Sequence, residues 1–313
     1  MNPKLRVIFC GSGEFGLPTL ASMPEHGHDV IQVISQPDRP AGRGRGLTPT
    51  PISQWAQSAG FPLLRTDNIN QESLPDADVM VVIAFGQKIA PQIANHCRLG
   101  SINLHASRLP RLRGAAPINW SIINGDTTTG NSVIRLAQKM DAGAVLAQSE
   151  LAIGPTETAG ELHDRLAQDG PPLIAKVLEE LATGTATETP QDQSLATVAP
   201  KLARQSAILD FSHSADELAR RIRGLFPWPG CRVRLRDADD GKELLSLRLA
   251  RARAVESTAS ARPGQILPDG NIRAGHGAIE LLQLQPESRS VMSLDDYRRG
   301  HPWPAGATLD PIE

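Results

Sequence analysis

The chain has 313 residues, 40% of them hydrophobic and 21% charged, so it can bury a sizeable core, and its length fits two domains better than one. A formal charge of −2 argues against a surface wholly given to nucleic acid, although a balanced total can hide a local basic region. Cys10, Cys97 and Cys231 are odd in number, far apart and without a CxxC pair, which suggests neither a disulfide framework nor a zinc site and fits a reducing cytoplasm.

The N-terminal "MNPKLRVIFCGSG" holds an apolar run too short for a signal sequence or a membrane span. The runs "LRVIFC" (5 to 10), "DVIQVIS" (29 to 35) and "DVMVVIA" (78 to 84) are short and β-branched, as buried parallel strands are, and helical or irregular stretches separate them. That alternation predicts a doubly wound α/β sheet with ligands beyond the carboxyl ends of its strands. "GSGEFG", Gly11 to Gly16, follows the first strand with the spacing of a dinucleotide fingerprint. A nicotinamide site also needs an acid at the end of the second strand, where this chain has Ser35 and Gln36. The other reading of these glycines is a tight turn that admits a close neighbour. In "QPDRPAGRGRGLTPTP", 36 to 51, Arg39, Arg43 and Arg45 alternate with Gly and Pro and have no apolar anchor. Such a loop is expected to be mobile and to grip a polyanion through bidentate arginine contacts.

"INLHASRLPRLRGAAPI", 102 to 118, opens like a strand and places Asn103 and His105 near its end. Two further strands, "NSVIRLAQ" (131 to 138) and "AVLAQSEL" (144 to 151), flank a turn containing Asp141, and a helix opens at Thr158 and Glu161 in capping-box spacing. The sheet can bring amide, imidazole and carboxylate to one point. No G-x-S-x-G elbow or nearby cysteine supports covalent catalysis. An amide and an imidazole suit a developing oxyanion, and the carboxylate can orient the ring or take a proton, as acyl transfer to an amine requires. Taken singly, His105 reads as a structural histidine and Asp141 as a turn residue; only their conjunction points to chemistry.

The stretch 183 to 201 is rich in Thr, Gln and Pro without an apolar period; a first domain is expected over 1 to 189, a linker over 190 to 206, and a second domain over 207 to 313. In "SADELARRIRGL", Ser214 and Glu217 form a capping box, Leu218, Ile222 and Leu225 share one face, and Arg220, Arg221 and Arg223 form a charged face expected to be free for a partner. "CRVRL", "LLSLRLARARAV" and "GAIELLQLQ" then predict a small β-barrel or open sheet. Residues 201 to 253 carry 12 Lys+Arg against 7 Asp+Glu, a local excess of 5 positive charges.

"INLHASRLPRLRGAAPINWSIINGDTTTG" together with "MDAGAVL" resembles the active-site region of the folate-dependent formyltransferases, whose pattern is Asn-x-His-x-Ser-Leu-Leu-Pro followed later by Asp-x-Gly. The arginine loop resembles the tRNA-contacting loop of the members that formylate methionyl-tRNA. "IGPTETAGELHDRLA", "FPWPG" and "LLQLQPE" fall in the expected order, so the resemblance spans 5 to 309. It implies an α/β, Rossmann-like formyltransferase domain with a parallel-rich sheet, followed by a smaller OB-like β-barrel that binds tRNA. The implied reaction moves the formyl group of 10-formyltetrahydrofolate to the amino group of methionyl initiator tRNA. Asn103 would bond the formyl oxygen, His105 would stabilise its charge or help protonate the leaving folate nitrogen, and Asp141 would hold His105 and assist loss of the amine proton. Folate would lie against Phe85, Gly86, Gln87, Ile89, Ser107, Leu109, Pro110 and Gly114. Arg39, Arg43, Arg45, Arg204, Arg220 and Arg221 would contact tRNA. No metal is expected; without an apolar stripe that invites pairing a monomer is expected, and without transit-peptide features a bacterial cytoplasm. Arg108 departs from the family pattern by replacing the first leucine after the serine, and Val198 stands where an aromatic often precedes Ala-Pro-Lys. Rival readings are a formyltransferase for glycinamide ribonucleotide or a nucleotide-linked amino sugar, a nicotinamide oxidoreductase built on "GSGEFG", and a non-catalytic RNA-binding protein.

Overall fold

The structure, a computed structural model, describes residues 4–41 and 46–312. Its chain divides into two compact units, one of Met1–Gly114, Thr129–Leu151 and His163–Val198, the other of Ala115–Thr128, Ala152–Leu162 and Ala199–Glu313.

Seven strands form the sheet of the first unit: β1 (Arg6–Gly11), β2 (Asp29–Ser35), β3 (Leu63–Arg65), β4 (Val79–Ile83), β5 (Ser101–His105), β6 (Ser132–Arg135) and β7 (Val145–Gln148), in the order β7-β6-β5-β4-β1-β2-β3. β1 to β5 pair in parallel, while β6 and β7 are antiparallel. β4, "VMVVI", is buried at every residue, which is why it reads as a continuous apolar run rather than an alternating one. The chain steps outward from β1 to β3 and then resumes on the other side of β1 with β4, so the switch point lies between β1 and β4. "GSGEFG" turns there. A Cβ on Gly11 would stand 3.0 Å from the Ile83 carbonyl oxygen, and one on Gly16 would stand 3.3 Å from Ile83 Cβ. These glycines let the turn close on β4.

β5 divides its side chains between two faces. Leu104 is 3% exposed, and Gly170 of the helix Ala159–Thr183 approaches it so closely that a Cβ there would lie 2.8 Å from Leu104 Cδ2. That helix opens as a capping box: the Thr158 N–H donates to Glu161 Oε2 at 2.9 Å, and the Glu161 N–H to Thr158 Oγ1 at 3.4 Å. Asn103 and His105 take the face opposite Leu104, and Asn103 stands between Val82 of β4 and Ile134 of β6.

The second unit is an antiparallel, OB-like sheet. Its strands are β8 (Cys231–Arg236), β9 (Glu243–Val255), β10 (Ile272–Arg273), β11 (Ala278–Pro286), β12 (Met292–Ser293) and β13 (Thr308–Pro311), in the order β10-β11-β9-β8-β13, with β12 paired to β11. The helix Ala215–Gly224 is capped by Ser214, whose Oγ accepts the Glu217 N–H, and it buries Leu218, Ile222 and, just past its end, Leu225 in the core of this unit. The expected free arginine face is corrected here. Arg223 is buried and donates to the Glu157 carbonyl at 3.0 Å, and Arg221 donates to the Ser206 carbonyl at 2.6 Å. With about 100° between successive helical residues, Arg221 and Arg223 flank the apolar arc, and Arg220 alone lies opposite it. No helix among the described residues is long and apolar enough to cross a membrane.

Candidate active site

His105, at the carboxyl end of β5, is 7% exposed. Its Nε2 lies 2.9 Å from the Leu112 carbonyl oxygen, which can only accept, so this nitrogen carries a proton. Nδ1 faces Asp141 Oδ2 at 3.7 Å, a contact between charges rather than a hydrogen bond when the ring is protonated. The same Oδ2 accepts the Gly114 N–H at 2.9 Å. One turn, residues 112 to 114, therefore holds both groups, the ring through a carbonyl and the carboxylate through an amide. The Asn103 amide, half-buried two residues before His105 on the same face, makes no side-chain hydrogen bond among the described residues.

The backbone here is held in conformations that side chains disfavour. Ala84, Leu112 and Asp141 have φ of 47°, 59° and 53°, left-handed values that persist where surrounding contacts fix them. Polar groups of β6 and β7 hold the loop that leads into Leu112. Ser132 Oγ accepts the Leu109 N–H at 3.0 Å and donates to the Ser107 carbonyl at 2.6 Å, while Gln148 Nε2 donates to the Leu109 carbonyl at 2.8 Å. Sequence reasoning missed both residues; their only signal was a polar side chain at the end of a strand whose core residues are apolar. Arg108, the departure from the family pattern, forms an ion pair with Glu150.

The residues expected to meet folate fall into two groups. Ser107, Leu109, Pro110 and Gly114 belong to the loop that carries His105's partners, with Ser107 Oγ donating to the Arg111 carbonyl at 2.7 Å. Phe85, Gly86, Gln87 and Ile89 follow β4, the strand beside β5. Phe85 is buried against Ile8, Cys10 and Val82, and Ile89 packs partly buried on the same cluster. Gly86 has φ +78°, and a Cβ there would run into Gln36 Nε2. Gln87 is engaged at both ends of its amide, donating to the Thr66 carbonyl at 2.7 Å and accepting the Ile69 N–H at 2.9 Å. Both ends of its amide are thus spent on shaping the loop.

Of the arginines expected to contact tRNA, Arg39 is exposed on a hairpin of Arg39–Ala41 with Gly46–Thr48. Arg43 and Arg45 lie outside the described residues. Arg204 is exposed on the turn Arg204–Ala207, and Arg220 and Arg221 are half-buried. The three thiols are poor nucleophiles at neutral pH: burial raises Cys10, burial and the charge of Asp78 push Cys97 up to about 11, and burial pushes Cys231 up to about 12.

Comparison with known proteins extends over nearly the whole chain. Residues 4–178 match the profile described as formyl transferase, and residues 201–302 match the formyl transferase C-terminal domain. The methionyl-tRNA formyltransferase of Geobacter metallireducens is 37% identical over 306 residues, covering 95% of this chain and 96% of that protein. The methionyl-tRNA formyltransferase of Methylobacterium nodulans is 39% identical, covering 97% and 99%. Among solved structures, HypX from Aquifex aeolicus in complex with tetrahydrofolic acid superposes with a TM-score of 0.61 at 16% identity, over 95% of this chain and 47% of that one, a likeness of fold. Both halves of the sequence thus match one family in the right order, and more than a third of the residues are shared with full-length relatives: the chain belongs to the formyl transferase family, among the methionyl-tRNA formyltransferases.

Proposed function

We propose that the chain transfers the formyl group of 10-formyltetrahydrofolate to the α-amino group of methionyl initiator tRNA, acting as a monomer in the bacterial cytoplasm. The observation that carries the site reading is the carboxylate of Asp141 at 3.7 Å from His105 Nδ1, with the unpartnered Asn103 amide on the same strand face. Amide and imidazole suit an oxyanion, and no nucleophilic thiol competes with direct attack by the amine.

In the reaction, the neutral amine forms a bond to the formyl carbon, whose carbonyl electrons move onto oxygen. Asn103 Nδ2 donates to that oxygen as it becomes an oxyanion, and the imidazole supports the same charge when Nδ1 is protonated. The attacking nitrogen loses a proton toward Asp141, directly or through a water; the oxyanion's electron pair then re-forms the carbonyl as the bond to the folate nitrogen breaks, and that nitrogen takes a proton from the protonated His105 ring or from the same water. Esterification lowers the α-amino pKa, so much of the amine is free at neutral pH and no strong base is needed. Positioning and charge stabilisation carry the rate. The left-handed turn at Ala84 and Gly86, at the carboxyl end of β4, leaves main-chain groups to meet the donor and acceptor edge of a pterin. Arg39, Arg43, Arg45, Arg204 and Arg220 are proposed to meet tRNA phosphates, while Arg221 is held by the Ser206 carbonyl.

Labelled 10-formyltetrahydrofolate offered in parallel with methionyl-tRNA, glycinamide ribonucleotide and an amino-sugar nucleotide tests the assignment. Label on methionyl-tRNA alone is expected; label on either small acceptor, with none on the tRNA, overturns it.

A further inference from the structure

Gln191 lies fifty residues from Asp141 in a stretch of Thr, Gln and Pro, yet its side chain reaches the Asp141 turn. Its Nε2 donates to the Asp141 carbonyl at 2.8 Å and to the Gly143 carbonyl at 2.7 Å. Its Oε1 accepts from Arg113 twice, from Nε at 3.1 Å and Nη2 at 2.6 Å. Arg113 is buried, and its remaining Nη1 donates to Gln193 Oε1 at 2.9 Å. The backbone completes the connection: Leu112 N–H donates to Thr197 Oγ1 and Arg113 N–H to the Thr197 carbonyl, both at 2.9 Å.

These bonds converge on the two backbone points that set the reacting groups. Leu112 supplies the carbonyl that fixes His105 Nε2, Gly114 supplies the amide that holds the Asp141 carboxylate, and Asp141 keeps φ at 53°. A left-handed backbone at a non-glycine residue persists only when its surroundings over-determine it, and Gln191 fixes both carbonyls of that turn. Methionine removes both the donor and the acceptor of the Gln191 amide and glutamate removes only the donor, and either leaves the Asp141 and Gly143 carbonyls without that partner.

We infer that Gln191 is a positioning residue for Asp141: with Arg113 it sets the distance between the carboxylate and the His105 imidazole, and it acts on the chemical step without touching either substrate. This inference rests on the reading of Asn103, His105 and Asp141 as the reacting site. Misplacement of a reacting group by about 1 Å costs on the order of 10²-fold.

The test is a double-mutant cycle with Gln191→Met and Asp141→Asn, read as single-turnover formylation of methionyl-tRNA, with Kd measured separately for 10-formyltetrahydrofolate and for methionyl-tRNA. Gln191→Met is expected to lower the rate about tenfold to a hundredfold with both Kd values within about twofold, and to lower it no further in the Asp141→Asn background. Gln191→Glu keeps the acceptor for Arg113, loses the donor to the two carbonyls, and is expected to behave as Gln191→Met does; it serves if the methionine variant does not fold. An equal loss in both backgrounds overturns the inference, since a general structural role would move both alike. So does a loss confined to Kd. If Asp141→Asn itself retains full rate, it is the reading of the site that fails.

Discussion

Asp141→Asn keeps the shape of the side chain and removes one charge. In the structure Oδ2 accepts the Gly114 N–H at 2.9 Å while facing His105 Nδ1 at 3.7 Å, and an amide oxygen can take that same place. The turn is therefore expected to hold, and what disappears is the carboxylate's attraction for a protonated ring and its capacity to take the amine proton. Two unit charges at this separation attract by about 4 kcal/mol at an effective dielectric of about 20. Both side chains are mostly shielded, at 7% and 14% exposure, so water screens the pair only in part. Only a fraction of full charge separation develops at the transition state, so a fall of about 10²- to 10³-fold in the chemical rate is expected. Rapid-quench measurement of formylmethionyl-tRNA at saturating concentrations of both substrates reads that step. A fall of less than about fivefold, or one removed by raising substrate concentration, refutes the role given to the charge.

Three further outcomes follow from other parts of the molecule. Arg39→Ala is expected to weaken methionyl-tRNA binding, to reduce the slope of log K against log salt by about 1, and to leave 10-formyltetrahydrofolate binding unchanged; titration at several salt concentrations checks this. Burial works to raise the Glu161 carboxyl, but hydrogen bonds from the Thr158 N–H and hydroxyl and from Arg251 outweigh it and hold the group below its ordinary range. Its contribution to stability is then complete above that range and lost as pH falls through the depressed folded value, so the gap in urea midpoint between wild type and Glu161→Gln should close on acidification. A gap that widens toward low pH contradicts the sign. Cys10, Cys97 and Cys231, all raised, should react with Ellman's reagent in the folded protein far more slowly than in urea.

What could be read from the sequence follows the strength of each local signal. Asp29–Ser35 is a strand over the residues that "DVIQVIS" marked, because a buried β-branched run bounded by polar residues admits few alternatives. The strands after Asn131 are shorter than their apolar runs, ending at Arg135 and Gln148, since the run alone does not say where pairing stops. The capping box at Thr158 and the N-cap at Ser214, where only the Glu217 N–H bond forms, were legible because a cap is a contact between residues three apart. By contrast, Arg223 reads as a surface charge on a helical wheel and is buried, because the wheel does not show how wide an arc the neighbours cover. Asn103 and His105 could be placed together by strand periodicity, and Asp141 with them only through the turn that follows. The support for that turn was not legible. Gln191 lies in a stretch without apolar period, and the link to Asp141 is a long-range polar contact that neither composition nor spacing announces.

The most direct measurement is the single-turnover rate of formyl transfer to methionyl-tRNA by Asn103→Ala, with the Kd of 10-formyltetrahydrofolate measured on the same preparation. If the amide meets the formyl oxygen as it takes up charge, the rate falls about 10²- to 10³-fold while the folate Kd stays within about twofold. A variant that transfers formyl at the wild-type rate, or that loses folate binding in proportion to rate, contradicts the account.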